Sequence, residues 1–247
     1  MTNLAEYLKH LADRYETEAF LCTDPSLFMH SVEGDANREV TAFIASCLSY
    51  GSRKQFMPKI QQIVDLAKDD VYAWIKDGKF CQNFKAQDTI SFYRLYSRGE
   101  MYRLFMALQK MLKEWGTMGS FVKQNAHDGL SAVEALTRYF AEYGPTMTVP
   151  RNTASPCKRI CMFLRWMVRD SSPVDLGLWS QFINKRSLII PMDTHVRQEA
   201  IRLGLMPDVR STTMKNAIRL TERLKEIFPD DPLRGDFALF GVGVKPD

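Results

Sequence analysis

Apolar residues recur at intervals of three and four along most of this chain of 247 residues. A clear example is the segment from Arg38 to Tyr50. Its apolar side chains share one helical face: Val40, Phe43, Ile44, Cys47 and Leu48. Spacing of this kind places one stripe of an α-helix against a core. Later segments show similar stripes, and no segment alternates clearly as a strand does. The sequence therefore predicts an all-α protein whose helices pack around a cleft.

Two segments are harder to assign. The first runs from Asp88 to Arg98, and its apolar residues alternate too poorly for a strand, so we predict a helix there. The second follows the chain break at Pro229–Pro232. There we predict a short final helix over Asp236 to Phe240, ended by the glycines that follow.

Composition and charge limit the classes of protein that this chain can belong to. Hydrophobic residues make up 45% of the sequence, which is enough for a packed core and argues against global disorder. We expect a single helical domain over residues 1–247, with two subdomains formed by 38–150 and by 1–37 plus 151–247. The net charge of +4 is compatible with nucleic acid but does not require it.

The cysteine usage and the N-terminal segment indicate a cellular compartment. The five cysteines are odd in number and irregularly spaced, and together with the histidines they form no metal-ligand pattern. The first residues lack the pattern of a signal peptide, and no apolar run is long enough to span a bilayer. We therefore expect a reduced, soluble, cytoplasmic protein that holds no metal and no membrane span.

One candidate for chemistry is Lys158, in a helix that we predict to open at Ser155-Pro156, with Ser155 as its N-cap. Lys158, Arg165 and Arg169 share one stripe of this helix, opposite its apolar face. The stripe can be a solvated basic face or a surface for DNA. The first turn disfavours a cation because of the helix dipole, and this favours the neutral amine that a nucleophile needs.

A second candidate is Asp193, which follows an apolar run and precedes another predicted helix. Its simplest interpretation is an N-cap. The other interpretation is a chemical role, in which the carboxylate stabilises a positive charge nearby. The two interpretations are compatible, because a carboxylate fixed by backbone N–H groups stays ionised. His195 follows within the same helix and either titrates near neutral pH or makes a structural hydrogen bond.

The heptapeptide Pro-Met-Asp-Thr-His-Val-Arg at 191–197, continued by Leu-Gly-Leu at 203–205, resembles a motif of the helix-hairpin-helix DNA glycosylase superfamily. That superfamily includes endonuclease III and the 8-oxoguanine glycosylases. The resemblance implies that Asp193 is the catalytic aspartate and that Lys158, on the preceding helix, is the lyase lysine. The segment 39–49 is similar to the superfamily's opening helix, after which a loop, here 50–53, inserts into DNA.

The chain also resembles an uncharacterised bacterial family of conserved hypothetical proteins, through phrases such as Cys-Lys-Arg, Pro-Met-Asp-Thr-His-Val and Asp-Phe-Ala-Leu-Phe-Gly. Three departures from known glycosylases stand out. The glycine hairpin before the lysine is replaced by residues 153–156, so the hairpin is degenerate. The spacing from Lys158 to Asp193 is longer than in the endonuclease III type. The four-cysteine iron–sulfur motif is absent, so no cluster is expected.

The resemblance implies a monomeric base-excision enzyme that binds double-stranded DNA, removes a damaged base such as an oxidised purine, and nicks the strand through a lysine Schiff base without any cofactor. The candidate DNA contacts are polar or basic: Arg53, Ser155, Arg159, Arg165, Arg169 and His195. The candidates for a base pocket or a wedge are aromatic, and each can instead belong to the core: Tyr50, Trp166, Trp179, Phe182 and Phe240. Two alternatives remain open, a non-catalytic DNA-binding protein on the same scaffold and a helical protein–protein scaffold.

Overall fold

The computed structural model of the chain describes residues 2–144 and 147–243, and these residues are mostly helical. They form two compact units. The first consists of the described parts of Met1–Cys22, His127–Val133 and Thr153–Asp247, and the second of those of Thr23–Ala126 and Glu134–Asn152.

The first unit carries both candidate catalytic residues. It contains two N-terminal helices and four from the second half of the chain: α1 (Thr2–Tyr15), α2 (Glu18–Leu21), α10 (Lys158–Val168), α11 (Thr194–Arg202), α12 (Met214–Lys225) and α13 (Arg234–Gly243). A 3-10 turn at Lys185–Ser187 lies between α10 and α11. Helix α13 packs against α1 and α11, so the C-terminal helix joins the start of the chain to the helix that follows Asp193.

The second unit consists of helices and one hairpin: α3 (Leu27–His30), α4 (Asp35–Leu48), α5 (Arg53–Ala67), α6 (Val71–Lys76), the 3-10 helix Lys79–Gln82, β1 (Ser91–Tyr93), β2 (Tyr96–Ser97), α7 (Arg98–Trp115) and α8 (Met118–Asn125). Helix α9 (Gly129–Tyr143) begins in the first unit and ends in the second. The stripe predicted for α4 is confirmed, since all five of its apolar residues are buried.

The helix predicted from Asp88 to Arg98 is wrong. The segment forms an antiparallel hairpin in which Tyr93 pairs with Tyr96, and the turn is made by Arg94 and Leu95. Arg94 has a φ of 51°, a left-handed conformation that suits a two-residue hairpin turn. The sequence pattern failed because two consecutive residues, Phe92 and Tyr93, are both buried, which hides the alternation of a strand.

The final helix is longer than predicted, because it runs from Arg234 to Gly243 and so includes the residues on both sides of Asp236–Phe240. Within residues 2–144 and 147–243, no helix is both long enough and apolar enough to cross a membrane. The same residues contain no group of three or more potential metal ligands.

Candidate active site

Lys158 is the first residue of α10, and the local backbone before it is unusual. The preceding residue, Cys157, adopts a left-handed conformation with a φ of 47° and places no side-chain cap on the helix. The prediction that Ser155 is the N-cap of this helix is therefore wrong. Its hydroxyl lies 3.4 Å from the Cys157 amide nitrogen and accepts a long hydrogen bond instead. Lys158 thus sits at the positive end of the helix dipole, in the first turn.

Asp193 caps α11 and also binds Lys158. Its Oδ1 accepts a hydrogen bond from the Val196 amide at 2.9 Å, and its Oδ2 accepts one from Lys158 Nζ at 2.8 Å. The prediction that Asp193 is an N-cap is therefore confirmed, and the same carboxylate also binds the positively charged Lys158. The cap bond restrains the carboxylate through Oδ1, and Oδ2 remains to bind the lysine.

The Lys158–Asp193 pair remains open to solvent. The exposed fractions are 38% for the Lys158 side chain and 37% for that of Asp193. An ion pair with this exposure contributes only about 0–1 kcal/mol to stability. Burial, taken by itself, acts to raise the pKa of Asp193. The Lys158 ammonium, the Val196 amide and the charge of His195 act in the opposite direction and bring that pKa below its ordinary value. Asp193 is thus an ionised carboxylate near neutral pH, within reach of molecules from outside.

The neighbouring thiols are poor alternatives to the amine as nucleophiles. Burial raises the pKa of Cys157, even though the Ser155 hydroxyl and the charge of Arg159 act to lower it. Burial also raises the pKa of Cys161, one turn further along α10. Since only the thiolate attacks efficiently, two protonated thiols are poor nucleophiles, and Lys158 is the remaining candidate at this helix end.

The basic stripe predicted for α10 is wrong, because Arg165 and Arg169 are not on a solvated face. Their exposed fractions are 4% and 1%. Arg165 binds Asp175 and Asp236. Arg169 binds carboxylates from three distant segments: Glu16, Asp175 and Asp231. Neither guanidinium is free to contact a DNA phosphate, and both instead hold the unit together internally.

Asp236 is a second carboxylate near this pair, and the sequence pattern indicated no role for it. It lies in the first turn of α13, close enough to Lys158 and Asp193 for both of their charges to act on it. Its exposed fraction is 16%, and Arg165 Nη1 donates a hydrogen bond to its Oδ2. Asp236 begins the sequence phrase Asp-Phe-Ala-Leu-Phe-Gly, but that phrase does not show which side chains the aspartate contacts.

The other polar candidates of the first unit lie near the pair. His195 is exposed in the first turn of α11, and its ring packs against Gly243 so closely that a Cβ there would clash with it. Arg159 is half-buried, and its charge acts on the Cys157 thiol beside Lys158. Ser155, Arg159 and His195 are therefore available as polar groups around the amine and the carboxylate.

The aromatic candidates of the first unit divide into two groups. Trp166 and Trp179 are fully buried, so their rings belong to the core and the prediction that they stack on a base is wrong. Phe182 and Phe240 are half-buried. The ring of Phe240 is packed edge-on against Tyr15 and Phe20, with centroids 5.7 and 5.0 Å apart. Phe182 and Phe240 are therefore only partly accessible.

Tyr50 and Arg53 belong to the second unit, and Tyr50 lies beside the unexpected hairpin. The Arg94 guanidinium stands 4.8 Å from the centroid of the Tyr50 ring. The hairpin exposes two large aliphatic side chains, Ile90 at 67% and Leu95 at 62%. We call Tyr50, Ile90, Arg94 and Leu95 the hairpin patch. It combines a cation with accessible aromatic and aliphatic groups, a combination typical of surfaces that enter nucleic acid. Arg53 is exposed at the start of α5, and its guanidinium donates a hydrogen bond to the Thr23 hydroxyl.

Comparison with known proteins places the chain in a family without assigning it an activity. No curated protein matches the chain, and no solved structure matches it. Residues 24–245, which include Lys158, Asp193 and Asp236, match the sequence model of a family described as a protein of unknown function, DUF2400. The chain therefore belongs to the DUF2400 family of proteins of unknown function.

Proposed function

We propose that this protein is a DNA glycosylase with AP lyase activity, which removes a damaged base and then cleaves the strand at the resulting site. The observation that carries the proposal is the 2.8 Å contact between Lys158 Nζ and the helix-capping Asp193, in a pair more than a third exposed. This reaction needs a nucleophilic amine beside an oriented, ionised carboxylate. The glycosylase-like motif at 191–197 supports the same proposal.

Asp193 acts in the first step, which breaks the bond between C1′ of the sugar and the base. The base leaves with the bonding electron pair and takes a proton from solvent, so positive charge develops at C1′ and O4′. The ionised Asp193 stabilises this charge, and its cap bond to Val196 means that it does not have to reorganise when the charge appears. The base must first leave the duplex stack, which costs a few kcal/mol and is easiest for damaged bases.

Lys158 acts in the second step. The ammonium first loses one proton, and the neutral Nζ forms a bond to the positively charged C1′. Nζ then gives up a second proton, the C1′–O4′ bond breaks with its electron pair going to O4′, and O4′ takes up that proton, which leaves a protonated imine. Loss of a C2′ proton then breaks the C3′–O3′ bond, and the phosphate departs with the bonding electrons. Water hydrolyses the imine and regenerates the amine. No metal or cofactor enters any of these bond changes.

DNA binding in this proposal relies on the exposed candidates and not on the buried arginines. Near the pair, Ser155, Arg159 and His195 are available to contact the backbone. On the second unit, the hairpin patch supplies an exposed cation and exposed aliphatic groups, of which Leu95 lies in the turn and is our candidate for a wedge. Apolar side chains inserted between base steps commonly offset the cost of distorting the duplex.

The proposal is tested by incubating the wild-type protein with duplex DNA that contains one abasic site, in the presence of borohydride. Reduction of the imine fixes the lysine to the DNA, and peptide mass spectrometry then identifies the residue that carries the adduct. We expect the adduct on Lys158. A protein that binds this duplex tightly and never forms an adduct is the non-catalytic DNA-binding protein of the first alternative.

A salt titration separates the proposal from the helical scaffold of the second alternative. We expect the affinity for duplex DNA to fall steeply as salt is raised, because each neutralised phosphate releases counterions. The measurement is a gel-shift series from low to physiological ionic strength. Binding that is undetectable even at low salt supports the scaffold and contradicts the proposal.

Replacing Asp193 by asparagine should separate its role as a cap from its role as a charge. Asparagine caps helices about as well as aspartate, so we expect the free energy of unfolding to change by less than about 0.5 kcal/mol. Base removal should slow by about 10²-fold, a typical cost of removing one electrostatic stabiliser. The measurement is single-turnover base release beside a urea titration. Unchanged base release together with unchanged stability would assign Asp193 to capping alone.

A further inference from the structure

Arg94 is an exposed arginine in the turn of the hairpin, and the protein does not engage its guanidinium in any polar contact. Within residues 2–144 and 147–243 this guanidinium forms no ion pair, and none of its N–H groups donates a hydrogen bond. The backbone carbonyl of Arg94, by contrast, accepts a hydrogen bond from the Ser91 hydroxyl. Asp88, the acid at the start of the hairpin segment, is bound to Arg98 at 3.2 Å. The five N–H donors of Arg94 are therefore open to a ligand.

The guanidinium of Arg94 is held in one place by two neighbours. It stands 4.8 Å from the centroid of the Tyr50 ring. It also lies against the backbone of Gly51, so closely that a Cβ added there would overlap Arg94 Nη1. Gly51 has a φ of 87°, in the left-handed region that favours glycine. Glycine is therefore needed at position 51 both for the backbone conformation and for the space that the guanidinium occupies.

Tyr50 is itself attached to the hairpin. The Tyr93 hydroxyl donates a hydrogen bond to the backbone carbonyl of Tyr50. Tyr93 is buried, and the centroid of its ring lies 6.4 Å from that of Tyr96. The segment 50–51 and the turn at 94–95 are thus joined through a buried residue. A cation held in this way loses little conformational freedom when it binds a ligand, which reduces the cost of binding through an arginine.

The shape of the guanidinium and the charge around it favour one kind of ligand. Its planar fork of N–H groups can donate to two oxygens of a phosphate at once. A second cation on this side of the hairpin, Lys59, also lacks a carboxylate partner within the described part of the chain. Its Nζ stands 5.1 Å from the centroid of the Phe92 ring and donates to the neutral Gln62. Two uncompensated cations favour a ligand with repeated negative charge, such as a DNA strand.

We propose that Arg94 binds a phosphate of the DNA backbone through its guanidinium, and that Tyr50 and Gly51 are positioning residues that hold the guanidinium for this contact. The inference rests on the proposed function and adds to it the group of the second unit that binds the strand. The resemblance implied that the loop 50–53 inserts into DNA. In this inference Tyr50 instead acts through Arg94.

The test measures DNA binding separately from the chemistry. Fluorescence anisotropy gives the affinity of the wild-type protein and of Arg94→Gln for two labelled duplexes over a series of salt concentrations. One duplex is undamaged, and the other carries a tetrahydrofuran analogue of an abasic site, which forms no imine. We expect Arg94→Gln to bind both duplexes about tenfold more weakly at low salt, as expected when a hydrogen bond to a charged group is lost. The slope of log affinity against log salt should become shallower by about 0.9, because one fewer phosphate is neutralised.

The matched control is Arg103→Gln in the same unit. Arg103 is bound to Glu100 and donates to the backbone carbonyl of Ala86 at 3.4 Å, so its guanidinium is already engaged within the protein. We expect this variant to keep the wild-type affinity and the wild-type salt dependence. Equal losses in the two variants would mean that only the net charge of the protein matters, and the inference would fail.

A double-mutant cycle tests the role of Tyr50. Tyr50→Leu removes the ring beside the guanidinium and should weaken binding about two- to fivefold, the usual contribution of an exposed cation–π contact, without changing the salt slope. Added to Arg94→Gln, the same change should have no further effect, because Tyr50 acts through Arg94. Tyr50→Phe keeps the ring and should bind DNA like the wild type. Losses that add in the double variant would mean that Tyr50 contacts DNA itself, and its positioning role would be wrong.

The outcomes also separate this inference from the function on which it rests. A wild-type protein that binds neither duplex, even at low salt, overturns the proposed function and the inference with it. A wild-type protein that binds both duplexes, together with an Arg94→Gln variant of unchanged affinity and unchanged slope, overturns only the inference. A loss confined to the duplex with the abasic analogue, without a change of slope, would mean that Arg94 contacts the opened site and not a phosphate, and this result also contradicts the inference.

Discussion

Replacing Lys158 by glutamine should abolish the borohydride-trapped adduct and lower strand cleavage at an abasic site by about 10³-fold or more, as expected when a nucleophile is removed. Glutamine has nearly the length of lysine, so it can still donate a hydrogen bond to Asp193, but its amide nitrogen has no electron pair available for attack. The measurement is single-turnover cleavage of a labelled duplex, with the adduct resolved by denaturing electrophoresis.

The chain provides a matched control for this prediction. Lys185 forms a similar ion pair with Asp170, at 2.5 Å, in the same unit. It lies in a 3-10 turn and has no capping carboxylate beside it. We expect Lys185→Gln to keep both the adduct and the cleavage rate. Lys158→Arg is a second control, because it keeps a cation beside Asp193 and removes the nucleophile, and it should be as inactive as the glutamine variant. Adduct formation that survives in both Lys158 variants would assign the chemistry to another amine.

Lys158 and Asp193, which the structure brings into contact, could be singled out because their sequence signals are local. An aspartate that follows an apolar run and precedes a helix can be recognised as an N-cap from the sequence. The cap hydrogen bond then fixes the position of one of its oxygens. Lys158 was identified by its place in a first helical turn and by the resemblance. Helix boundaries were less predictable, since the left-handed Cys157 moved the start of α10 past Ser155.

The second carboxylate, Asp236, and the buried arginines could not be predicted, because their partners are remote in the chain. Helical spacing placed Arg165 opposite an apolar face, and a charged face normally indicates solvent. Whether an arginine is solvated or buried depends on carboxylates supplied by other segments, here Asp175 and Asp236. Periodicity describes one helix at a time and carries no information about such pairings. Asp236 was missed for the same reason.

Replacing Arg169 by methionine should reduce the free energy of unfolding by about 3–5 kcal/mol, the usual cost of removing one partner from a buried ionic cluster. The Arg169 Nε lies 2.9 Å from Asp231 Oδ1, and its Nη2 lies 2.6 Å from Glu16 Oε1. Asp175, which is fully buried, accepts a further hydrogen bond from Nη1. Methionine fills a comparable space but leaves three carboxylates without their common cation. The measurement is a urea unfolding curve at neutral pH.

The control for this prediction is an arginine of the first unit that is exposed and also paired. Arg202 binds Glu199 at 2.8 Å, and 60% of its side chain is accessible. We expect Arg202→Met to cost no more than about 1 kcal/mol, because solvent screens such pairs. Equal losses for the two variants would mean that the cluster around Arg169 contributes no more than a surface ion pair does.

Acid should reveal the same cluster in the wild-type protein. Burial raises the pKa of Glu16, but Arg169, Ser172 and Arg234 outweigh it, so the pKa lies below the ordinary value. A carboxylate whose pKa is lowered by folding stabilises the protein at pH values above the pKa that it has in the unfolded state. This stabilisation is lost as the pH falls through the pKa of the folded state. The free energy of unfolding should therefore decrease as the pH falls below the ordinary range of glutamate. In Arg169→Met most of this component should vanish, because the cation that lowers the pKa is gone. A wild-type and a variant curve that decline in parallel would show that Glu16 owes its ionisation to other groups.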